Sequence, residues 1–140
     1  MIIDKDYRVI EETVTNIPDT LDPDGDVCED LNAVVKWMKD NLQMALKNPR
    51  YDVKAVNFSA HGASLVHIDE TGKPVTPLYD YLKPVSNIIS ENFYQSFGGK
   101  KSFSMETGSP ALNMLNSGFQ LYWLKNFKPE SFSEIKHSLH

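Results

Sequence analysis

The chain has 140 residues, of which 41% are hydrophobic and 24% are charged, and its formal net charge is −5. This length suits one domain, and the composition supports a packed core and argues against wholesale disorder. Lys100-Lys101 is the most prominent basic pair, so the sequence lacks the footprint of a nucleic-acid-binding protein. The one cysteine, Cys28, favours a reducing, cytoplasmic setting, and no apolar run approaches the ~20 residues of a membrane span.

The chain begins with a predicted hairpin and an acidic loop. Met1–Asp4 and Arg8–Thr15 carry the apolar residues of two short strands around a tight turn. Asn16–Gly25 is rich in Pro, Asp and Gly, which predicts a solvated loop. Its aspartates do not have the twelve-residue spacing of a calcium loop.

A long amphipathic helix is predicted next. Asp26 followed by Glu29 is typical of a capping box, so the helix should run from Val27 to Lys47. Apolar residues recur at the spacing of one helical face, which predicts that this face is buried. The residues of that face are Leu31, Val34, Val35, Met38, Leu42, Ala45 and Leu46.

Three further strands are predicted in the middle of the chain. Asp52–Phe58 is largely apolar, as expected of a strand in a sheet that is covered on both faces. A strand, a long helix and a strand in succession favour an α/β fold. Ala63–Ile68 and Val75–Tyr81 form a predicted antiparallel hairpin around the Thr71-Gly72 turn.

The C-terminal part is predicted to be helical. Val85–Phe97 is one helix, ended by Gly98-Gly99, with the lysines after it near the negative end of the helix. Ser109-Pro110 predicts a second helix that runs to Asn126. Pro129–Leu139 predicts a third helix, in which the chain stops without a closing strand.

Ala60-His61-Gly62, at the end of the predicted strand Asp52–Phe58, is the candidate site for chemistry. The ends of strands are where α/β sheets bind ligands, a histidine can hydrogen-bond polyhydroxyl ligands, and a glycine permits close approach to the backbone. The alternative is a structural turn with a hydrogen-bonded histidine. Tyr79 and Phe58 are interpreted as core aromatics.

Five motifs, in this order and spacing, carry a family resemblance. They are the Asp4–Ile10 hairpin, the Asp22–Gly25 loop before a helix, Ala60-His61-Gly62, Asp69 with Thr71–Pro74, and Thr107–Pro110 with Leu121–Lys125 and Pro129-Glu130. Together they resemble the N-terminal domain of the FGGY family of carbohydrate kinases. The resemblance extends over nearly the whole chain.

The resemblance implies an RNase H-like domain of the actin-like ATPase type, with a mixed sheet, helices and truncation at both ends. Residues 1–140 would be part of the sugar-binding domain of a kinase that uses Mg-ATP. The first strand with its phosphate-binding Asp-x-Gly-Thr turn, the catalytic aspartate and the ATP domain would lie outside this chain. No cofactor is therefore expected on these residues themselves.

The resemblance also implies which residues contact the sugar. They are Ala60, His61, Gly62 and Tyr81, where Tyr81 stands in the place of the family's tryptophan in Trp-x-Asp-x-Arg. The chain departs from the family pattern at Ser59, where the family has glutamine, and at Lys83, where it has aspartate. The implied substrate is a ketose such as xylulose, or a fuculose or rhamnulose type of sugar.

Other functions compete with that of a sugar kinase. A non-catalytic scaffold module derived from a kinase is the main alternative. An RNase H-like nucleic-acid enzyme needs clustered carboxylates, and a zinc site needs more ligands than His61 and His67 provide. A truncated domain would also expose apolar surface, which predicts self-association, such as a homodimer.

Overall fold

The computed structural model describes residues 1–60 and 62–140. Its strands are β1 (Ile2–Ile3), β2 (Val9–Glu11), β3 (Asp19–Leu21), β4 (Val27–Glu29), β5 (Val66–Ile68) and β6 (His137–Leu139). Its helices are α1 (Leu31–Lys47), α2 (Asn87–Ser96), α3 (Lys100–Thr107), α4 (Ser117–Phe127) and α5 (Pro129–Glu134), with a 3-10 turn at Asn113–Leu115. Within the described residues the strands form three two-stranded antiparallel sheets, β1–β2, β3–β4 and β5–β6.

The first predicted hairpin is confirmed. β1 and β2 pair around a turn in which the Asp4 carboxylate accepts hydrogen bonds from the N–H groups of Asp6 at 2.8 Å and Arg8 at 2.9 Å. An aspartate that closes a turn in this way competes well with water for the backbone donors. The strands are short, so this hairpin covers little apolar surface.

The acidic loop is a second hairpin, and this moves the start of α1. β3 pairs with β4 around a turn that is closed by the Asp22 carboxylate, which accepts from the N–H groups of Asp24 and Asp26. The predicted capping box at Asp26 was wrong, because the residues after Asp26 form β4. Asp30 caps the helix instead, and its carboxylate accepts from the N–H groups of Asn32 and Ala33.

The predicted buried face of α1 is not buried. Every residue of this helix is half-buried or exposed, and the exposed fractions of Val35, Met38 and Leu42 are 38%, 39% and 36%. The predicted strand Asp52–Phe58 was also wrong, because these residues are irregular. A strand needs a neighbour for its backbone donors and acceptors, and no ladder joins this segment to any described residue.

The hairpin after residue 62 forms only in part. The Asp69 carboxylate closes the turn on the N–H groups of Thr71 and Lys73, and Gly72 has a φ of +81°. Val75–Tyr81 was wrongly predicted as a strand and makes a single bridge, from Leu78 to Glu29, while Pro74 directly before it bridges to Ile68. Pro74, before the segment, and Pro77, within it, have no N–H for a ladder.

The chain does have a closing strand. The predicted helix Pro129–Leu139 ends at Glu134, and β6 then pairs with β5 in the register Val66 to Leu139 and Ile68 to His137. β6 has three residues, and its pairing with the distant β5 is what a helical interpretation from Pro129 overlooks. This pairing joins the end of the chain to its middle.

The helices before β6 follow the prediction only in part. α2 is confirmed, and its N-cap is the Ser86 hydroxyl. Gly98-Gly99 breaks the helix as predicted, but Lys100 starts α3 directly afterwards. The helix predicted from Ser109 was wrong, because Asn113 has a φ of +54° and the chain turns there before α4 begins. The N–H of Asn113 donates to the hydroxyl of the core residue Tyr94 at 2.8 Å, and this bond attaches the turn at Asn113 to the core.

The hydrophobic core lies between α2, the 3-10 turn, α4 and the segment before α2. It is an aromatic cluster with edge-to-face rings, a geometry that favours the ring quadrupoles. Its buried members are Tyr79, Phe93, Tyr94, Met114, Phe119, Trp123 and Leu124.

The α/β class is confirmed by this mixture of small sheets and helices. The predicted strand–helix–strand succession was wrong, because α1 leads into irregular residues. The RNase H-like sheet stays a prediction. In the described residues, no helix is both long enough and apolar enough to cross a membrane.

Candidate functional site

A turn at Gly62 follows an exposed stretch, residues 54–60. Ala60 and Gly62 are exposed, and His61 lies outside the described residues. A Cβ atom built on Gly62 would meet no heavy atom of the described residues within 4 Å, its chain neighbours aside. The backbone at Gly62 is therefore open on that side, as a ligand that approaches the main chain requires.

A buried glutamine holds the residue that follows this turn. Gln120, on α4, is 2% exposed and donates through Nε2 to the carbonyl oxygen of Ala63 at 2.6 Å. The same amide nitrogen donates to the carbonyl oxygen of Met114, in the 3-10 turn. One amide group thus joins the exposed turn to the aromatic core across 57 residues of sequence.

Tyr81 lies in a second tight turn. The Asp80 carboxylate accepts from the N–H of Leu82 at 2.7 Å, and the Asp80 carbonyl accepts from the N–H of Lys83 at 3.0 Å. Tyr81 is half-buried in this turn. The side chain is therefore held on a backbone whose course is fixed by its neighbours.

Lys83 anchors this turn in a buried cluster of charges. Its side chain is 3% exposed, and Nζ lies 2.6 Å from a carboxylate oxygen of Asp22, 2.5 Å from one of Asp26 and 3.2 Å from one of Asp24. Lys128 pairs with Asp24 on the outer side. Three carboxylates around one ammonium group compensate the cost of burying it.

Two aromatic rings complete the surroundings of the Lys83 ammonium. Nζ lies 5.6 Å from the ring centroid of Tyr79 and 5.5 Å from that of Trp123. The two rings meet edge to face, with centroids 5.1 Å apart. Tyr79 is 5% exposed, which confirms its interpretation as a core aromatic, whereas Phe58 is 67% exposed and that interpretation was wrong.

Two members of the cluster, Lys83 and Asp24, have pKa values that are shifted in favour of their charged forms. Burial alone would lower the pKa of Lys83, but its hydrogen bonds to Asp22, Asp26 and Asp24 outweigh burial and raise that pKa above the ordinary value. The hydrogen bond from Lys128 lowers the pKa of Asp24. Burial, with the negative charges of Asp24 and Asp22, raises the pKa of Tyr79 to about 12. The cluster is suited to fixing two chain segments and not to proton transfer near neutral pH.

His67 and Cys28, the remaining polar candidates, are buried in strands and contribute to the fold. His67 is 1% exposed, its Nδ1 lies 2.8 Å from the Ser138 hydroxyl across β5–β6, and burial lowers its pKa. Burial also raises the pKa of the Cys28 thiol, which lies in β4. No group of three or more His, Cys, Asp or Glu among the described residues could hold a metal ion.

Sequence reasoning missed two anchors of the candidate site. The alternation of Asp22, Asp24 and Asp26 indicates a cation, and the cation is the ammonium group of Lys83. In the sequence, Lys83 stands out only as a departure from the family pattern, which has aspartate at this position. Gln120 gives no signal in the sequence, because a single amide on a helix is most often solvated.

The comparison with protein families gives one match. The model of the FGGY family of carbohydrate kinases, N-terminal domain, matches residues 1–140. No curated protein and no solved structure is significantly similar to the chain. The match covers the whole chain, so the chain belongs to the FGGY family of carbohydrate kinases.

Proposed function

We propose that residues 1–140 are part of the N-terminal, sugar-binding domain of an ATP-dependent kinase that phosphorylates a ketose. The substrate would be xylulose or a sugar of the fuculose or rhamnulose type. The family match over the whole chain carries this proposal. The open backbone at Gly62 supports the position of the sugar.

Four residues would contact the sugar. His61 would hydrogen-bond its hydroxyl groups, and Ala60 and Gly62 would line the space beside the backbone. Tyr81 would pack on the apolar face of the sugar ring or hydrogen-bond through its hydroxyl. The open space at Gly62 and the fixed turn around Tyr81 support these roles.

The rest of the chemistry would come from other parts of the protein. Phosphoryl transfer requires a positioned hydroxyl, Mg-ATP and a carboxylate that accepts the proton. The family resemblance puts the phosphate-binding turn and the catalytic aspartate beyond these residues, in an RNase H-like sheet that the complete, cytoplasmic protein would build. Residues 1–140 alone would therefore be inactive and would only position the sugar.

The decisive experiment is a panel of sugars with the complete protein and Mg-ATP, followed by coupled detection of ADP. Release of ADP with one ketose supports the kinase and names its substrate. A folded protein that binds ATP but is silent with every ketose contradicts the ketose. Silence without ATP binding favours the alternative, a non-catalytic scaffold module.

A pair of glycine variants tests the site itself. Gly62→Ala fills the open space beside the turn, so we expect the KM for sugar to rise about tenfold. Gly118→Ala, in α4, also meets no heavy atom of the described residues within 4 Å and should leave KM unchanged. His61→Ala should raise KM as well. Unchanged KM values in Gly62→Ala and His61→Ala would reject the site but not the kinase.

We also propose that the 140-residue chain self-associates through α1. The exposed side chains of Val35, Met38, Leu42 and Leu46 recur at helical spacing and form one apolar stripe. A second copy would remove this stripe from water, as in a homodimer. Light scattering over a range of concentrations is the test, and a monomer at high concentration would dispose of the idea.

A further inference from the structure

Gln120 is an unusual residue for its place on α4. Its neighbours on the helix, Phe119 and Leu124, are 0% and 1% exposed and belong to the aromatic core. A buried amide costs free energy unless its hydrogen bonds are made, whereas a methionine of similar shape would pack there without that cost. The polar group therefore has a task other than filling space.

The hydrogen bonds of Gln120 indicate the task. Both acceptors are backbone carbonyls, one at Met114 in the core and one at Ala63, the residue directly after Gly62. The bond to Ala63 joins residues 57 positions apart and ties α4 to the exposed turn. A backbone carbonyl held in this way fixes the plane of its peptide, and with it the course of the chain on both sides.

The same face of α4 also holds the second turn of the site. Trp123, three residues after Gln120, packs its ring against Tyr79 and against the ammonium group of Lys83, whose backbone N–H closes the turn that carries Tyr81. Residues three apart share one face of a helix. One rigid face of α4 thus supports both segments to which the sugar contacts were assigned.

We propose that Gln120 is a positioning residue for the sugar site, which holds the turn at Gly62 at a set distance from the Tyr81 turn. This inference rests on the proposed function. Gln120 does not touch the sugar; it acts through the Ala63 carbonyl. Its loss weakens sugar binding, since a displaced turn no longer presents its groups to the ligand, and leaves the phosphoryl-transfer step itself intact.

The test uses Gln120→Met in the complete protein, with two readouts. The first is hydrogen–deuterium exchange of peptides that span residues 57–66, which needs no substrate. We expect exchange there to become about tenfold faster, because the turn opens more often. The second is steady-state kinetics with the active sugar, where KM should rise about tenfold while kcat stays within about twofold.

Two control variants on the same helix separate positioning from general damage. Asn126→Ala removes an amide that donates only within the helix, to the Tyr122 carbonyl at 2.7 Å. Leu124→Val weakens the core packing without touching the bond to Ala63. Both should leave the exchange at residues 57–66 and the KM near the wild-type values.

Each result decides the matter. Unchanged exchange at residues 57–66 in Gln120→Met overturns the inference, and so does a rise in KM that Leu124→Val produces equally. Faster exchange with an unchanged KM overturns the role in sugar binding. A wild-type protein that phosphorylates no sugar overturns the proposed function and the sugar role with it, whereas the exchange data then still show whether Gln120 holds the turn.

Discussion

The segment from Tyr79 to Ile135 and the segment before residue 61 bury their apolar side chains in opposite ways. In the first, the ring centroids of Phe93 and Phe119 lie 5.0 Å apart, and both side chains are buried. In the second, α1 leaves its apolar stripe half-buried or exposed. Apolar residues therefore form a core in one region and an open surface in the other.

The difference shows what each kind of element needs. Helices α2 and α4 are close in sequence and supply large aromatic side chains to one another, so local contacts suffice for a core. The strands that precede α1 along the chain have two or three residues each, and such strands cannot cover a helix of 17 residues. A longer sheet, as the family resemblance implies, would provide that cover.

A matched pair of phenylalanine variants tests the comparison most strongly. Phe119→Ala opens a cavity at a side chain that is 0% exposed, and we expect it to lower the free energy of unfolding by about 4 kcal/mol. Phe58→Ala changes a side chain that is 67% exposed, so its effect should stay below about 0.5 kcal/mol. Urea unfolding measures both. Equal losses would mean that Phe58 is covered in solution and that the N-terminal region has a core.

A matched pair of lysine variants tests the junction between the two regions. Lys83→Met leaves Asp22, whose side chain is 1% exposed, without its ammonium partner, so we expect a loss of about 3 kcal/mol. Lys128→Met removes a more exposed partner of Asp24 and should cost less than about 1 kcal/mol. Thermal unfolding at neutral pH measures the loss of stability in both variants.

The outcome of the lysine pair also shows whether the regions unfold together. Lys83 joins Asp22 and Asp26 in the first region to Tyr79 and Trp123 in the second. Its loss should therefore separate one cooperative transition into two. A single transition with the same small loss in both variants would contradict the role of Lys83 as the junction.

The sequence predicted local features better than pairings. The Asp4 and Asp69 turns, the α2 helix and the break at Gly98-Gly99 depend on neighbouring residues, and all of them formed. The strand Asp52–Phe58 did not form, because a strand depends on a partner that local sequence does not specify.

The candidate site shows the same limit. A histidine beside a glycine at the end of an apolar segment is visible in the sequence, and so is the alternation of Asp22, Asp24 and Asp26. The ammonium group that fills this acidic loop comes from 57 or more positions away, and so does the amide that holds Ala63. Such distant pairs follow from the packing of α4 and not from spacing along the chain.

A smaller effect concerns the sheet that closes the chain, and it depends on pH. His67 in β5 is 1% exposed, and burial lowers its pKa below the ordinary value of about 6.5. The unfolded chain therefore takes up the proton first as the pH falls. The stability that the neutral, buried imidazole provides is present above about pH 6.5 and is lost as the pH falls from there towards the lowered pKa.

His67→Gln removes this titration and keeps a side chain that can still hydrogen-bond the Ser138 hydroxyl. The melting temperature of the wild type should fall more between pH 7 and pH 5 than that of the variant, since within this window each pH unit changes the stability by at most about 1.4 kcal/mol per proton. The ion pairs of Lys83 do not interfere, because the raised pKa of that lysine and the lowered pKa of Asp24 keep these groups charged throughout. Equal pH dependence in the two proteins would mean that β5 and β6 leave His67 in contact with water, and that the closing strand contributes little to the fold.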